Sequence, residues 1–198
     1  NPADGDSFDI NFKDSKLKTN DVVVVTYSAT VAANATIAGA GNKNTAKLVY
    51  NEKDSTKEET TTYVWKLNVH KYALDSTNHE VALSGAKFVL YRMDNGVKKY
   101  AKLTNKKIVG WVTDKDKATT LETSGTGDIL IEGLNVGTYY LEETEAPVGY
   151  NKLTEPIEVE ITATTSVTSG SETVQYKNSS ETSYTPATDA TVKVLNNA

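Results

Sequence analysis

The 198-residue chain has no cysteine, two histidines, one methionine and three phenylalanines. Without thiols it can form no disulfide, thiolate nucleophile, zinc knuckle or iron–sulfur site. His70 and His79 alone leave little material for a histidine triad or a His-based metal centre. Apolar runs are short, and none approaches the roughly 18 residues of a membrane helix. The opening residues have no signal-peptide character. A net charge of −5 without clustered Lys and Arg argues against a nucleic-acid partner. The abundant residues are 28 Thr, 20 Val, 13 Ser and 11 Tyr, types that fit a pleated, half-buried surface, so an all-β protein is expected. That character is common outside cells, where disulfides usually brace small domains. With no cysteine available, another restraint is expected.

Residues 1–50 alternate in short runs. Val22-Val23-Val24-Val25-Thr26-Tyr27 reads as a buried strand after an Asn20-Asp21 turn. Residues 52–62 carry no apolar side chain and mark the expected boundary. From Tyr63 onward strand signals recur at Tyr63–Tyr72, Ala86–Arg92, Ile108–Thr113, Asp128–Ile131, Gly137–Glu142, Ile157–Ala163, Glu172–Tyr176 and Thr191–Leu195. Ser84-Gly85, Asp94-Asn95-Gly96, Ser124-Gly125-Thr126-Gly127, Val136-Gly137 and Pro147-Val148-Gly149 separate them as turns. This spacing predicts a β-sandwich over 63–198, with Asp114–Thr123 its one plausible helical stretch. Neither part carries a charged patch: 7 basic and 9 acidic residues stand in 1–62, and 14 and 17 in 63–198.

Side chains two apart on a strand share a face. Trp65, Leu67 and Val69 are therefore followed on one face by Lys71; Tyr139 and Leu141 by Glu143; Val192 and Val194 by Asn196. Taken singly, such a lysine can snorkel out at a strand end, an asparagine can simply be hydrogen-bonded, and a glutamate can pair with the lysine. Together, three polar residues aimed at one core form a specific chemical set. Burial favours the neutral forms of Lys and Glu, and a neutral amine is a nucleophile. Attack of Lys71 on the Asn196 amide, with Glu143 polarising the carbonyl and moving the proton, would leave an isopeptide bond and release ammonia. It happens once per molecule and in cis, so it is maturation and not enzymatic turnover. Asn197 adjoins Asn196 as an alternative acceptor; alternation favours Asn196.

Tyr140-Leu141-Glu142-Glu143-Thr144-Glu145-Ala146-Pro147-Val148-Gly149-Tyr150 is similar to the E-box of Gram-positive sortase-assembled pilins and Cna B-type surface domains, whose glutamate falls on Glu143. Leu83–Tyr91 resembles the family's second strand, Asp128–Leu134 its approach to the E-box, and Val194-Leu195-Asn196 its closing segment. Val22–Ala29 and Asn44–Tyr50 resemble the latter half of a preceding backbone-pilin domain, in which Asn51 stands near an acceptor place without the matching alternation. The resemblance implies two Ig-like β-sandwich units in tandem. Residues 1–62 would be the trailing part of one, truncated at its start, plus a linker; residues 63–198 would be a Cna B-type domain with a Lys71–Asn196 isopeptide bond.

The function so implied is that of a shaft subunit of a cell-surface pilus, covalently polymerised by sortase and anchored to a Gram-positive cell wall. Its partners would be other pilin subunits and host surface ligands, with no cofactor, metal or membrane insertion in this stretch. The pilin-motif Lys and the Leu-Pro-x-Thr-Gly type sorting signal are not among these residues, so the chain is read as part of a longer subunit. A stalk of a non-polymerised adhesin and a host-ligand-binding module are the competing readings. Asp4-Gly5-Asp6-Ser7-Phe8-Asp9 lacks the continuation of a calcium loop and reads as an acidic turn, as does Asp114-Lys115-Asp116. Glu142, Glu143 and Glu145 do not make a glycosidase pair, because adjacent strand residues face opposite ways. The glycosylation patterns at Asn34 and Asn178 carry no weight in a bacterial chain.

Overall fold

A computed structural model describes residues 10–13, 16–27, 32, 34–50, 53–178 and 181–196. The chain divides into two compact units, Asn1–Thr30 and Val31–Ala198. In the first, the expectation of a buried strand at Val22–Tyr27 is not met: the run forms no strand, and Val22 and Val24 are 87% and 80% exposed. An all-apolar run becomes a buried strand only where both faces are covered, and the described residues of this unit supply no second strand.

The second unit is all-β. It opens with two small antiparallel ribbons, β1 (Asn42–Ala46) against β4 (Glu58–Thr62) and β2 (Val49–Tyr50) against β3 (Lys53–Asp54). Twelve further strands follow: β5 (Trp65–Leu74), β6 (Glu80–Ala82), β7 (Lys87–Asp94), β8 (Val97–Thr104), β9 (Lys107–Val112), β10 (Leu121–Glu122), β11 (Asp128–Leu134), β12 (Gly137–Glu145), β13 (Ile157–Thr165), β14 (Gly170–Lys177), β15 (Thr185–Pro186) and β16 (Thr191–Leu195). Their ladder runs β15-β14-β13-β12-β7-β8-β9-β11-β5-β16, with β10 on β7 and β6 on β5. Between β9 and β11 it narrows to one pair, Glu132 with Lys107. The ladder therefore folds over there into two layers, and the core fills the space between. Trp65, Leu67, Val69, Ile131, Val192 and Val194 from β5, β11 and β16 meet Phe88, Leu90, Tyr139, Leu141, Val159 and Val174 from β7, β12, β13 and β14.

Period-2 patterning explains these strands. β5 alternates buried and half-buried side chains from Trp65 to Ala73, as a strand with one face on a core must. The expected helical stretch at Asp114–Thr123 is instead a single 3-10 turn, Lys115–Lys117, capped by the Asp114 side chain, followed by β10. The sandwich begins at a tight seam. Tyr63 stacks on Trp65 with ring centroids 5.7 Å apart, and its hydroxyl donates to the Ser166 carbonyl at 2.8 Å. Gly170 is required there, because a Cβ would come within 2.8 Å of the Tyr63 ring.

The first and last strands of the sandwich, β5 and β16, lie side by side and parallel, with Lys71 opposite Val194. That pairing sets up the site.

Candidate functional site: a buried lysine, glutamate and asparagine

Lys71, Glu143 and Asn196 are 0, 2 and 3% exposed. Each arrives by alternation. Lys71 is the fourth inward residue of β5, Glu143 follows Tyr139 and Leu141 inward on β12, and Asn196 follows Val192 and Val194 past the end of β16. Register brings them to one place. Asn196 is one same-face step beyond Val194, the residue opposite Lys71, and diagonal neighbours roughly 7–8 Å apart stay within reach of a long side chain. The Asn196 N–H donates to the Tyr72 carbonyl at 2.8 Å, fixing the strand end against β5. Glu143 faces Phe88 in the β12–β7 ladder, just before a bulge between Glu143 and Glu145. A bulge of this kind re-aims the side chains beside it.

Lys71 Nζ lies 3.2 Å from Glu143 Oε1, both side chains fully enclosed, and 5.7 Å from the centroid of the Phe88 ring. The approach is close enough for strong attraction but lies off the hydrogen-bond direction. Lys71 Nζ, Glu143 Oε1, Asn196 Nδ2 and Asn196 Oδ1 are the buried side-chain polar atoms that lack a hydrogen-bond partner among the described residues. The fourth buried polar residue, Thr123, shows the ordinary arrangement: its hydroxyl donates to the Leu83 carbonyl and accepts from the Ala86 N–H. Leaving a buried polar atom unpaired costs about 1–3 kcal/mol, more for a charged one. Four of them confined to one trio mark a site that is not built for packing alone.

Burial holds the Lys71 amine below its usual range, against the raising effect of the Glu143 charge. The amine is thereby shifted toward its neutral, nucleophilic form. Glu143 Oε2 is held separately, accepting the Leu153 backbone N–H at 2.7 Å. The neighbouring glutamates point outward: Glu142 pairs with Lys115 at 2.5 Å and Glu145 with Lys87 at 2.8 Å. Alternation puts Glu142 on the outer face, and the bulge between Glu143 and Glu145 turns Glu145 outward as well, so one carboxylate of the three is left in the core. Asn197, Asn51 and Asp4–Asp9 lie outside the described residues. Among the described residues no group of three or more His, Asp or Glu is placed to hold a metal ion, and no helix is long and apolar enough to cross a membrane.

Sequence reasoning missed two backbone contributions. One is the Leu153 N–H. The other is Gly127, whose carbonyl accepts the Lys71 N–H at 2.9 Å and whose φ is +77°. A Cβ at Gly127 would sit 2.5 Å from the Lys71 carbonyl oxygen. The turn signal around Gly125 and Gly127 was visible, but the close approach to Lys71 was not. Gly127→Ala should therefore lower the urea midpoint by the equivalent of about 2 kcal/mol or more, from backbone strain and displacement of Lys71.

A family model described as SpaA, prealbumin-like fold domain, matches residues 65–173, more than half of the chain. The chain belongs to that family. The matched span includes Lys71 and Glu143 and stops short of Asn196. No curated protein matches the chain. Among solved structures, the SpaE basal pilin of Lactobacillus rhamnosus GG, trigonal form, is 20% identical over 69% of this chain and 48% of that one, with a TM-score of 0.51. The pilus 2b backbone protein of group B streptococcus is 24% identical over 81% and 52%, at a TM-score of 0.48. The full-length major pilin RrgB of Streptococcus pneumoniae is 20% identical over 79% and 36%, at 0.45. The chain spans about half the length of these structures or less. At such identities the likeness is one of fold, and the SpaE match carries it.

Proposed function

We propose that this chain is part of a structural shaft subunit of a cell-surface pilus, braced by a self-generated isopeptide bond between Lys71 and Asn196. The observation that carries the reading is the confinement of unpartnered buried polar atoms to a nucleophile, an electrophile and a proton carrier. Neutral Lys71 Nζ adds to Asn196 Cγ, the Cγ–Nδ2 bond breaks, and Glu143 moves one proton from Nζ to Nδ2, which leaves as ammonia. The reaction needs no cofactor and no second substrate, and it cannot turn over. A bond joining the parallel first and last strands suits a subunit under tension. The E-box similarity around Glu143 and the SpaE-like fold support the pilus reading. The same proposal takes residues 1–62 as the trailing part of a preceding Ig-like domain, and places the protein outside a Gram-positive cell, joined to other subunits by sortase and anchored at the wall.

Incubating the full-length subunit with its sortase should give a ladder of covalent multimers that survives boiling in detergent. Monomer alone would remove the shaft role and favour a stalk in a non-polymerised adhesin.

A further inference from the structure

We propose that the backbone N–H of Leu153 is a positioning group for bond formation: it holds Glu143 Oε2 and reserves Oε1 as the oxygen that carries the proton. The inference rests on the Lys71–Asn196 reading above. Its own observation is the unequal treatment of the two carboxyl oxygens. Oε2 accepts the Leu153 N–H at 2.7 Å, whereas Oε1 has no hydrogen-bond partner and faces Lys71 Nζ at 3.2 Å. A carboxyl free to rotate would offer either oxygen to the amine. One pinned by an N–H donor takes up a proton preferentially on the other oxygen, because a hydroxyl oxygen would be the poorer acceptor for that N–H.

Leu153 is able to do this because it is anchored. It lies in the connection from β12 to β13, and its side chain packs against the main core beside those strands. The glutamates beside Glu143 on β12 are engaged elsewhere, Glu145 with Lys87, and Glu142 with both Lys115 and Lys98. Lys71 is thus the charge that Glu143 meets. In the step itself Nζ bonds to Asn196 Cγ and yields a proton to Oε1. Oε1 returns a proton to Nδ2, the Cγ–Nδ2 bond breaks, and ammonia departs with the carboxyl restored. No oxidant, reductant or further reactant enters.

The test is the rate of ammonia loss by the full chain made by cell-free translation, followed by intact mass. Leucic acid at position 153, an amide-to-ester exchange, deletes the N–H and keeps the side chain; Leu153→Pro deletes it independently. Either change should slow bond formation about tenfold, since the carboxylate loses a hydrogen bond of that strength. Leu153→Ala, which keeps the N–H, should react as wild type does. A folded N–H-deleted chain that reacts at the wild-type rate, or a Leu153→Ala chain slowed as much as the deleted ones, overturns the inference. If neither deleted chain folds, the amide proton of 15N-labelled Leu153 is followed by NMR in Asn196→Ala, where Glu143 stays unreacted. It should move upfield when Glu143→Ala is added and the acceptor is lost, and an indifferent amide overturns the inference. A wild-type chain that never loses ammonia defeats the underlying reading instead.

Discussion

Intact mass spectrometry of the folded chain should return a value about 17 Da below the sum of its residues, one ammonia for one Lys–Asn bond. Lys71→Ala, Asn196→Ala and Glu143→Ala should each restore the full mass. The first two remove the atoms being joined. The third leaves both atoms in place and removes the group that moves the proton, so it separates chemistry from proximity. The effect is all or none because the trio is enclosed, which keeps solvent from the Asn196 amide. Digestion should yield one branched peptide joining the Lys71 and Asn196 segments. A branch at Asn197 would transfer the acceptor role one residue along, to the side chain that alternation places on the opposite face. A wild-type mass equal to the residue sum would falsify the bond outright.

How much of this was legible beforehand depended on whether side chains or backbone carried the message. Lys71, Glu143 and Asn196 stood out because each follows two or three apolar residues at period 2, and β5, β12 and β16 keep that period to the end. β8 was passed over although the Asp94-Asn95-Gly96 turn before it is a strong hairpin signal. Its Lys98, Lys99 and Lys102 dilute the apolar pattern, and its buried residues, Tyr100 and Ala101, are adjacent instead of alternating. A register shift between Lys102 and Leu103 accompanies that break in period. Val22–Val25 misled for the opposite reason. Four valines carry the intrinsic preference for a strand, but ladder and cover come from elsewhere in a chain, and here the run stays exposed.

The parts of the site that could not be read are backbone groups. Nothing in the letters around Leu153 announces that its N–H will meet Glu143, because any residue except proline supplies the same donor. The glycine at 127 is visible as a turn residue, but only the fold shows that it must admit the Lys71 carbonyl. The family resemblance located Glu143 within its motif; the register of β5 against β16 is what brings a lysine and an asparagine 125 positions apart together.

Breaking the site should cost stability in two separable amounts. A bond between positions 71 and 196 closes a loop of about 125 residues, worth on the order of 5 kcal/mol by loop entropy, or roughly 10–20 °C of melting temperature. Lys71→Met with Glu143→Gln isolates that amount. Both replacements fill similar space without a buried charge, and the glutamine can still accept the Leu153 N–H. Glu143→Ala alone should fall further, by about 3–5 kcal/mol, because it loses the bond and also strands the Lys71 amine without a counter-charge. Glu143→Gln alone should reveal the stranded amine by its pH dependence. Burial already holds Lys71 below its ordinary 10.5, and removing the Glu143 charge removes what opposes that shift. Between the lowered folded value and 10.5 the unfolded chain binds more protons than the folded one, so stability must rise with pH through that window and level off above it. The bonded wild type has an amide in place of the amine and should show no such rise in the alkaline range, where urea midpoints of the two proteins can be compared directly. A Glu143→Gln chain whose stability does not rise with pH below 10.5 would mean that its Lys71 is solvated and binds its proton in the folded chain as it does in the unfolded one. A melting temperature for the double variant equal to that of wild type would mean that no covalent closure was lost.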